Sequence, residues 1–224
     1  MFKNNSILMN MNSIIRKPFR YANFHVVYWL IGINVFIFAL TYLFGERQQK
    51  MMTVYLSMIP AAVIELKWYW TFVTYMFMHG NISHILFNML GLLIFGMHVE
   101  RQMGSKEFLL FYFVTGTLAG IFSFVVYYLT GNLIVALMGA SGALYAVQLA
   151  FAVFFPNAVI YIWGILPLRA PVMVLAFTAL SLFFVFTGTG GNVAHLTHLA
   201  GFAFAWLYFM VRFGVNPWRR LTGR

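Results

Sequence analysis

Six stretches of this chain are long, apolar and nearly free of charge, at about 26–45, 72–98, 108–129, 133–155, 170–187 and 193–213. Each approaches the roughly 20 residues that a helix needs to cross a hydrocarbon core about 30 Å thick. Ionised side chains make up 8% of the 224 residues. A soluble domain carries about 25%, so there is too little polar surface here for a water-soluble globule. The expected fold is an all-α polytopic membrane protein, a six-transmembrane-helix bundle in one domain over 24–213. Residues 1–23 are polar and basic and lack the apolar core of a cleavable signal peptide, so they read as a short, mobile cytoplasmic arm. Residues 214–224 read as a basic cytoplasmic tail. The loop 46–71 is long and holds Trp68-Tyr69-Trp70, an aromatic cluster of the kind found at membrane interfaces. The other loops are short, and Thr187 to Asn192 reads as a tight, uncharged turn.

A net charge of +10 would suit a nucleic-acid partner, but the charges fall at the ends of the apolar segments. That placement serves membrane orientation, and the expected partner is the lipid bilayer, with no nucleic acid. Six spans put both termini on one side, together with all the Lys and Arg except Arg47, Lys50 and Lys67. The positive-inside rule therefore places both termini in the cytoplasm and the aromatic loop outside. A compact chain of this kind is expected in a bacterial inner membrane.

Cysteine is absent, which excludes disulfides, thiolate catalysis and Cys-ligated metals. Aspartate is absent too, and the acidic residues are Glu46, Glu65, Glu100 and Glu107. Two apolar runs nevertheless carry the minimum for an activated nucleophile, a serine and an imidazole. Ser141 lies within Gly139-Ala140-Ser141-Gly142, and His198 lies in the last run. With no Asp to orient the histidine, a serine mechanism would be a dyad.

Depth links these groups. Ser141 stands fourteen residues before Phe155, His198 fourteen before Arg212, and His84 fourteen before His98. At 1.5 Å per residue each lies about 21 Å above the cytoplasmic boundary, roughly 9 Å below the outer surface. Asn88 follows His84 by one turn on the same helix face. Polar side chains inside a membrane face one another or a wet cavity. The expectation is an outward-opening, water-accessible pocket lined by Ser141, His198, His84 and Asn88. Small residues around Ser141, and Gly201 with Ala205, would let helix backbones approach closely.

Other readings of the same residues exist. A serine in a membrane helix is usually a packing residue, and Asn88 alone could join two helices. His195 and His198 are spaced as a metal pair, with His84 as a third ligand. No carboxylate or cysteine lies at this depth, so no metal and no other cofactor is expected. His79 reads as structural, bonded to the outer loop or to Gly80-Asn81, and His25 and His98 read as residues of span ends.

Taken in order, these motifs resemble the rhomboid family of intramembrane serine proteases over nearly all of 26–213. His84-Ile85-Leu86-Phe87-Asn88 resembles that family's HxxxN motif, and Gly139-Ala140-Ser141-Gly142 its GxSG motif. His198-Leu199-Ala200-Gly201 resembles the histidine with its downstream glycine, and Glu100, Arg101 and Gly104 the ExxxG pattern. The resemblance implies Ser141 as nucleophile and His198 as general base and then general acid. It implies Asn88, His84 and the Ser141 N–H as oxyanion donors, and Tyr145 as the ring packed against the histidine. Gly139, Gly142 and Gly201 would support this arrangement. One departure is Trp70-Thr71, where the family often has Trp-Arg; another is Ala205 in place of a second glycine.

The expected function is a serine endopeptidase that cleaves transmembrane or membrane-adjacent segments of membrane proteins. The alternatives are a non-catalytic binder of transmembrane helices and a six-span transporter or channel. The lack of mid-membrane carboxylates weakens a proton or cation pathway.

Overall fold

The computed structural model describes residues 18–43, 45–162, 165–187 and 192–222. The chain forms helices α1 (Val26–Leu43), α2 (Gly45–Leu56), α3 (Pro60–Leu66), α4 (Thr71–Thr74), α5 (Ile82–Gly91), α6 (Met97–Met103), α7 (Ser105–Leu129) and α8 (Ser141–Phe154). An antiparallel pair, β1 (Val159–Ile162) and β2 (Leu166–Arg169), follows. The chain continues through α9 (Ala170–Thr187), α10 (Asn192–Tyr208) and α11 (Pro217–Leu221). A π-helical turn, Leu92–Gly96, joins α5 to α6, and another, Phe209–Phe213, extends α10.

Five helical stretches are long and apolar enough to cross a membrane: Val26–Leu43, Ile82–Met103, Ser105–Leu129, Ala170–Thr187 and His195–Phe213. The protein is an all-α, multi-pass integral membrane bundle. Hydropathy misplaced two boundaries. The second span begins at Ile82 rather than at 72, because Asn81 caps it: its Oδ1 accepts the His84 N–H at 2.7 Å. Residues 71–77 instead form α4 and a short 3₁₀ turn.

The fourth apolar segment is the larger correction. Expected over 133–155, it is helical only over the 14 residues of α8. That is about 21 Å, short of a hydrocarbon core of about 30 Å. Residues 133–139 run without helix and bond to the 46–71 loop and to Tyr75. Met58 and Leu137 exchange N–H···O bonds at 3.0 and 2.9 Å, the Ala61 N–H donates to Leu133 O at 2.9 Å, and the Gly139 N–H donates to Tyr75 O at 2.9 Å. Non-helical backbone at membrane depth is tolerated where protein satisfies its polar groups.

The loop 46–71 is itself structured, holding α2 and α3. Its aromatic cluster stacks, Tyr55 on Trp68 at 4.8 Å and Trp68 on Trp70 at 5.4 Å. The Trp70 Nε1–H donates to Tyr55 O at 3.0 Å. Thr71 is fully buried and its hydroxyl donates to Trp68 O at 2.6 Å.

At the opposite end of the bundle, Glu100 closes the start of α1. Its carboxylate accepts the Val26 N–H at 2.8 Å and the Val27 N–H at 3.1 Å, two donors with no intrahelical partner. The Ser105 hydroxyl donates to the same carboxylate and accepts the Phe24 N–H at 2.6 Å. At the end of the arm the Ala22 carbonyl accepts the Ser105 N–H at 2.7 Å and the Phe19 N–H donates to Glu107 Oε2 at 3.4 Å, and residues 1–17 lie outside the described residues. So do the expected turn at 188–191 and residues 223–224 of the tail.

The core lies where α10 packs against α7 and α8. Phe108, Phe111, Ala143, Ala146, Ala150, Ala205 and Phe209 are all buried there. The Ser123 and Thr197 hydroxyls bond at 2.6 Å, joining α7 to α10 one residue before His198. Below them Arg212 pairs with the buried Glu107 through Nε at 2.8 Å and Nη2 at 2.8 Å, and the Tyr208 hydroxyl donates to the same carboxylate at 2.6 Å.

Candidate active site

Ser141 is the first residue of α8. Its amide therefore belongs to the first turn, where N–H groups lack an intrahelical acceptor and the helix dipole is positive. The turn that delivers it needs a glycine. Gly139 has φ +118°, and a Cβ there would lie 2.6 Å from His84 Nε2. The Tyr75 carbonyl pins the Gly139 N–H at 2.9 Å.

His198 comes from α10, and its Nε2 stands 2.8 Å from Ser141 Oγ. That distance depends on close backbone approach. A Cβ on Gly201 would collide with the Gly142 carbonyl oxygen, and one on Gly142 would press on Ala119, Thr197 and Tyr75. Glycine at both positions lets α10 sit directly on α8. The His198 Nδ1 is buried and has no hydrogen-bond partner among the described residues. The ring is held by stacking: Tyr145, one turn after Ser141, lies 4.2 Å from it at 14°. Tyr145 is itself flanked by Phe177 of α9 and Phe202 of α10.

His84 and Asn88 reach the site from α5. The His84 ring contacts His79 at 5.0 Å and lies over Gly139. Asn88 is buried beside Ser141, on the wall of the same cavity. Its Nδ2 donates to His84 O at 2.8 Å, and its Oδ1 has no partner among the described residues. An amide nitrogen carries two hydrogens, so one donor remains. His79 Nε2 lies 3.5 Å from the Ala140 N–H, so this histidine braces the turn before Ser141. His195 packs on Phe184 at 4.7 Å and meets the His198 ring edge-on at 5.8 Å. His98 bonds Ile94 O at 2.8 Å within its own helix, away from this cluster. Among the described residues no group of three or more His, Asp or Glu is arranged to hold a metal ion.

A cavity of about 500 Å³ opens beside Ser141. Its walls are α5, α8, Phe177 of α9 and the β-pair residues Ile160 and Tyr161. It is mainly apolar and runs down α8 past Leu144 and Tyr145 to Gln148. Sequence reasoning did not find Gln148, Thr197 or the β-pair. Gln148 and Thr197 are polar residues in apolar runs, a signal that was legible. The β-pair lies between the fourth and fifth apolar segments, in a stretch broken by Pro156, Gly164 and Pro167 that reads as a connection.

Chemically, the arrangement is a hydroxyl within proton-transfer distance of an imidazole, at a helix N-terminus, open to an apolar cleft. The chain is 36% identical over 130 residues to Rhomboid-like protein 11, chloroplastic, of Arabidopsis thaliana, covering 58% of this chain and 41% of that protein. It is 34% identical over 93 residues to Rhomboid protease GlpG of Haemophilus influenzae, covering 42% and 45%. It is 32% identical over 124 residues to Rhomboid protease GluP of Bacillus subtilis, covering 55% and 24%. The matches span less than half the length of each of these curated relatives. The family described as Rhomboid domain matches residues 66–214, more than half of the chain. The chain belongs to the rhomboid family.

Proposed function

We propose that the protein is an intramembrane serine endopeptidase that cleaves transmembrane or membrane-adjacent segments of membrane proteins. The observation that carries this is the 2.8 Å contact between His198 Nε2 and Ser141 Oγ, on a wall of a cleft beside the bundle.

In this reading His198 takes the Ser141 proton as Oγ attacks a substrate carbonyl, then gives it to the leaving amine. The oxyanion forms against the Ser141 N–H, the free donor of Asn88 and the His84 ring. Tyr145 orients His198 by stacking, in place of a third, acidic residue. The substrate helix unwinds locally, because a helix hides and internally bonds its carbonyls. The short α8 acts as a sixth span whose outer end is recessed, so water reaches Ser141 from outside. The charge distribution supports cytoplasmic termini, and the compact chain suits a bacterial inner membrane, with 24–213 as the membrane domain between a basic arm and a basic tail.

The test is cleavage of a single-span reporter in liposomes by the wild type, Ser141→Ala and His198→Ala. The expected result is one defined product with wild type and none with either variant. Equal cleavage by Ser141→Ala would overturn the assignment.

A further inference from the structure

Gln148 lies on the cleft wall and has no assigned work. It follows Ser141 by seven residues on α8, two helical turns, so it sits on nearly the same helix face. Seven residues place it about 10.5 Å deeper along the helix axis. Its side chain is 6% exposed, and its Oε1 is buried with no hydrogen-bond partner among the described residues. Its neighbours Val147, Leu149 and Ala150 are apolar and buried. Leucine would fill the same space, whereas an unpaired amide in such surroundings is costly.

The cavity that Gln148 lines is the one that holds Ser141 and Asn88. None of its lining residues is ionised. A charged guest would find no counter-charge there, so the guest that suits Gln148 is neutral and hydrogen-bonding. An unwound peptide rises about 3.3 Å per residue, so about three extended residues separate Ser141 from Gln148.

We propose that Gln148 is a specificity-determining residue of the substrate cleft. It hydrogen-bonds a neutral polar side chain, such as that of Asn, three residues from the scissile bond on the membrane-inward side. This rests on the protease reading above. An amide offers both a donor and an acceptor, so Asn can bond it in two directions while Leu leaves it unpaired. A site built to bond a polar group rejects the analogue that lacks it.

The test uses a Leu/Ala-rich single-span reporter with Gly-Ala at its outer end, reconstituted with the full chain. After the cut is mapped, Asn is moved through the first six positions inward, each compared with Leu. One gained hydrogen bond corresponds to a preference of up to about tenfold. The expected result is an Asn-over-Leu preference of that size at the third position only. Gln148→Leu and Gln148→Met should both flatten it to the level of neighbouring positions. Each ratio is taken within one preparation, so the folded fraction divides out.

A wild type with no positional preference overturns the proposal, as does a preference that survives in both variants. Fluorophosphonate labelling of Ser141 on the same samples separates the two failures. Labelling without preference removes the role of Gln148 alone. Absence of both labelling and cleavage removes the protease reading, and this inference with it.

Discussion

At the scale of single residues, the proposed site is held in place from several directions. Asn88 already spends one N–H on His84 O at 2.8 Å, which fixes its rotamer and aims the remaining donor. Asn88→Ala should lower kcat about 10²–10³-fold, the usual cost of losing an oxyanion donor, with a much smaller change in KM. Reporter kinetics check this; a change confined to KM would assign Asn88 to substrate binding. Tyr145 contributes its ring face, 4.2 Å from His198. Tyr145→Phe should therefore keep most activity, while Tyr145→Ala should lose it and retain the fold by circular dichroism. These residues were legible in sequence because each stands as a polar or small exception in an apolar run. Gln148 and Thr197 carry the same signal, but what they pair with was not legible, since a lone polar residue in a span does not reveal its partner, as the Ser123–Thr197 bond shows.

At the scale of elements, the decisive contact is α10 on α8. Gly201 faces the Gly142 carbonyl so closely that any side chain must push the two helices apart. Gly201→Val should cost about 1–3 kcal/mol, as overpacked cores do. Because the shift lies one turn from His198, labelling of Ser141 should fall further than thermal stability does. Thermal unfolding in detergent, run beside probe labelling, checks both. Glu100 makes a comparable link between α6 and the start of α1, and Glu100→Ala leaves buried N–H groups of Val26 and Val27 without an acceptor. A lower melting temperature is expected there, at a site remote from the dyad. Hydropathy located the elements but misjudged α8, because composition alone cannot tell a helix from a buried extended segment. Residues 133–139 are apolar and yet bonded as a strand-like segment to the 46–71 loop.

At the scale of the whole molecule, five long apolar helices and the shorter α8 make the bundle. The fold class followed from low charge and long apolar runs, which leave a chain little choice but the bilayer. Orientation rests on the basic residues. The chain contains no cysteine, so single cysteines report topology without removing any native one. A cysteine in α2 should react with an impermeant maleimide from outside intact cells, and one in α11 only after permeabilisation. The reverse pattern would invert the proposed topology. The most direct measurement on the whole site is reaction of the purified, folded protein with a fluorophosphonate, followed by peptide mapping of the adduct. Modification at Ser141 in the wild type, lost in both Ser141→Ala and His198→Ala, is the predicted result. A folded wild type that stays unmodified, or an adduct on another residue, would contradict an activated serine in this membrane.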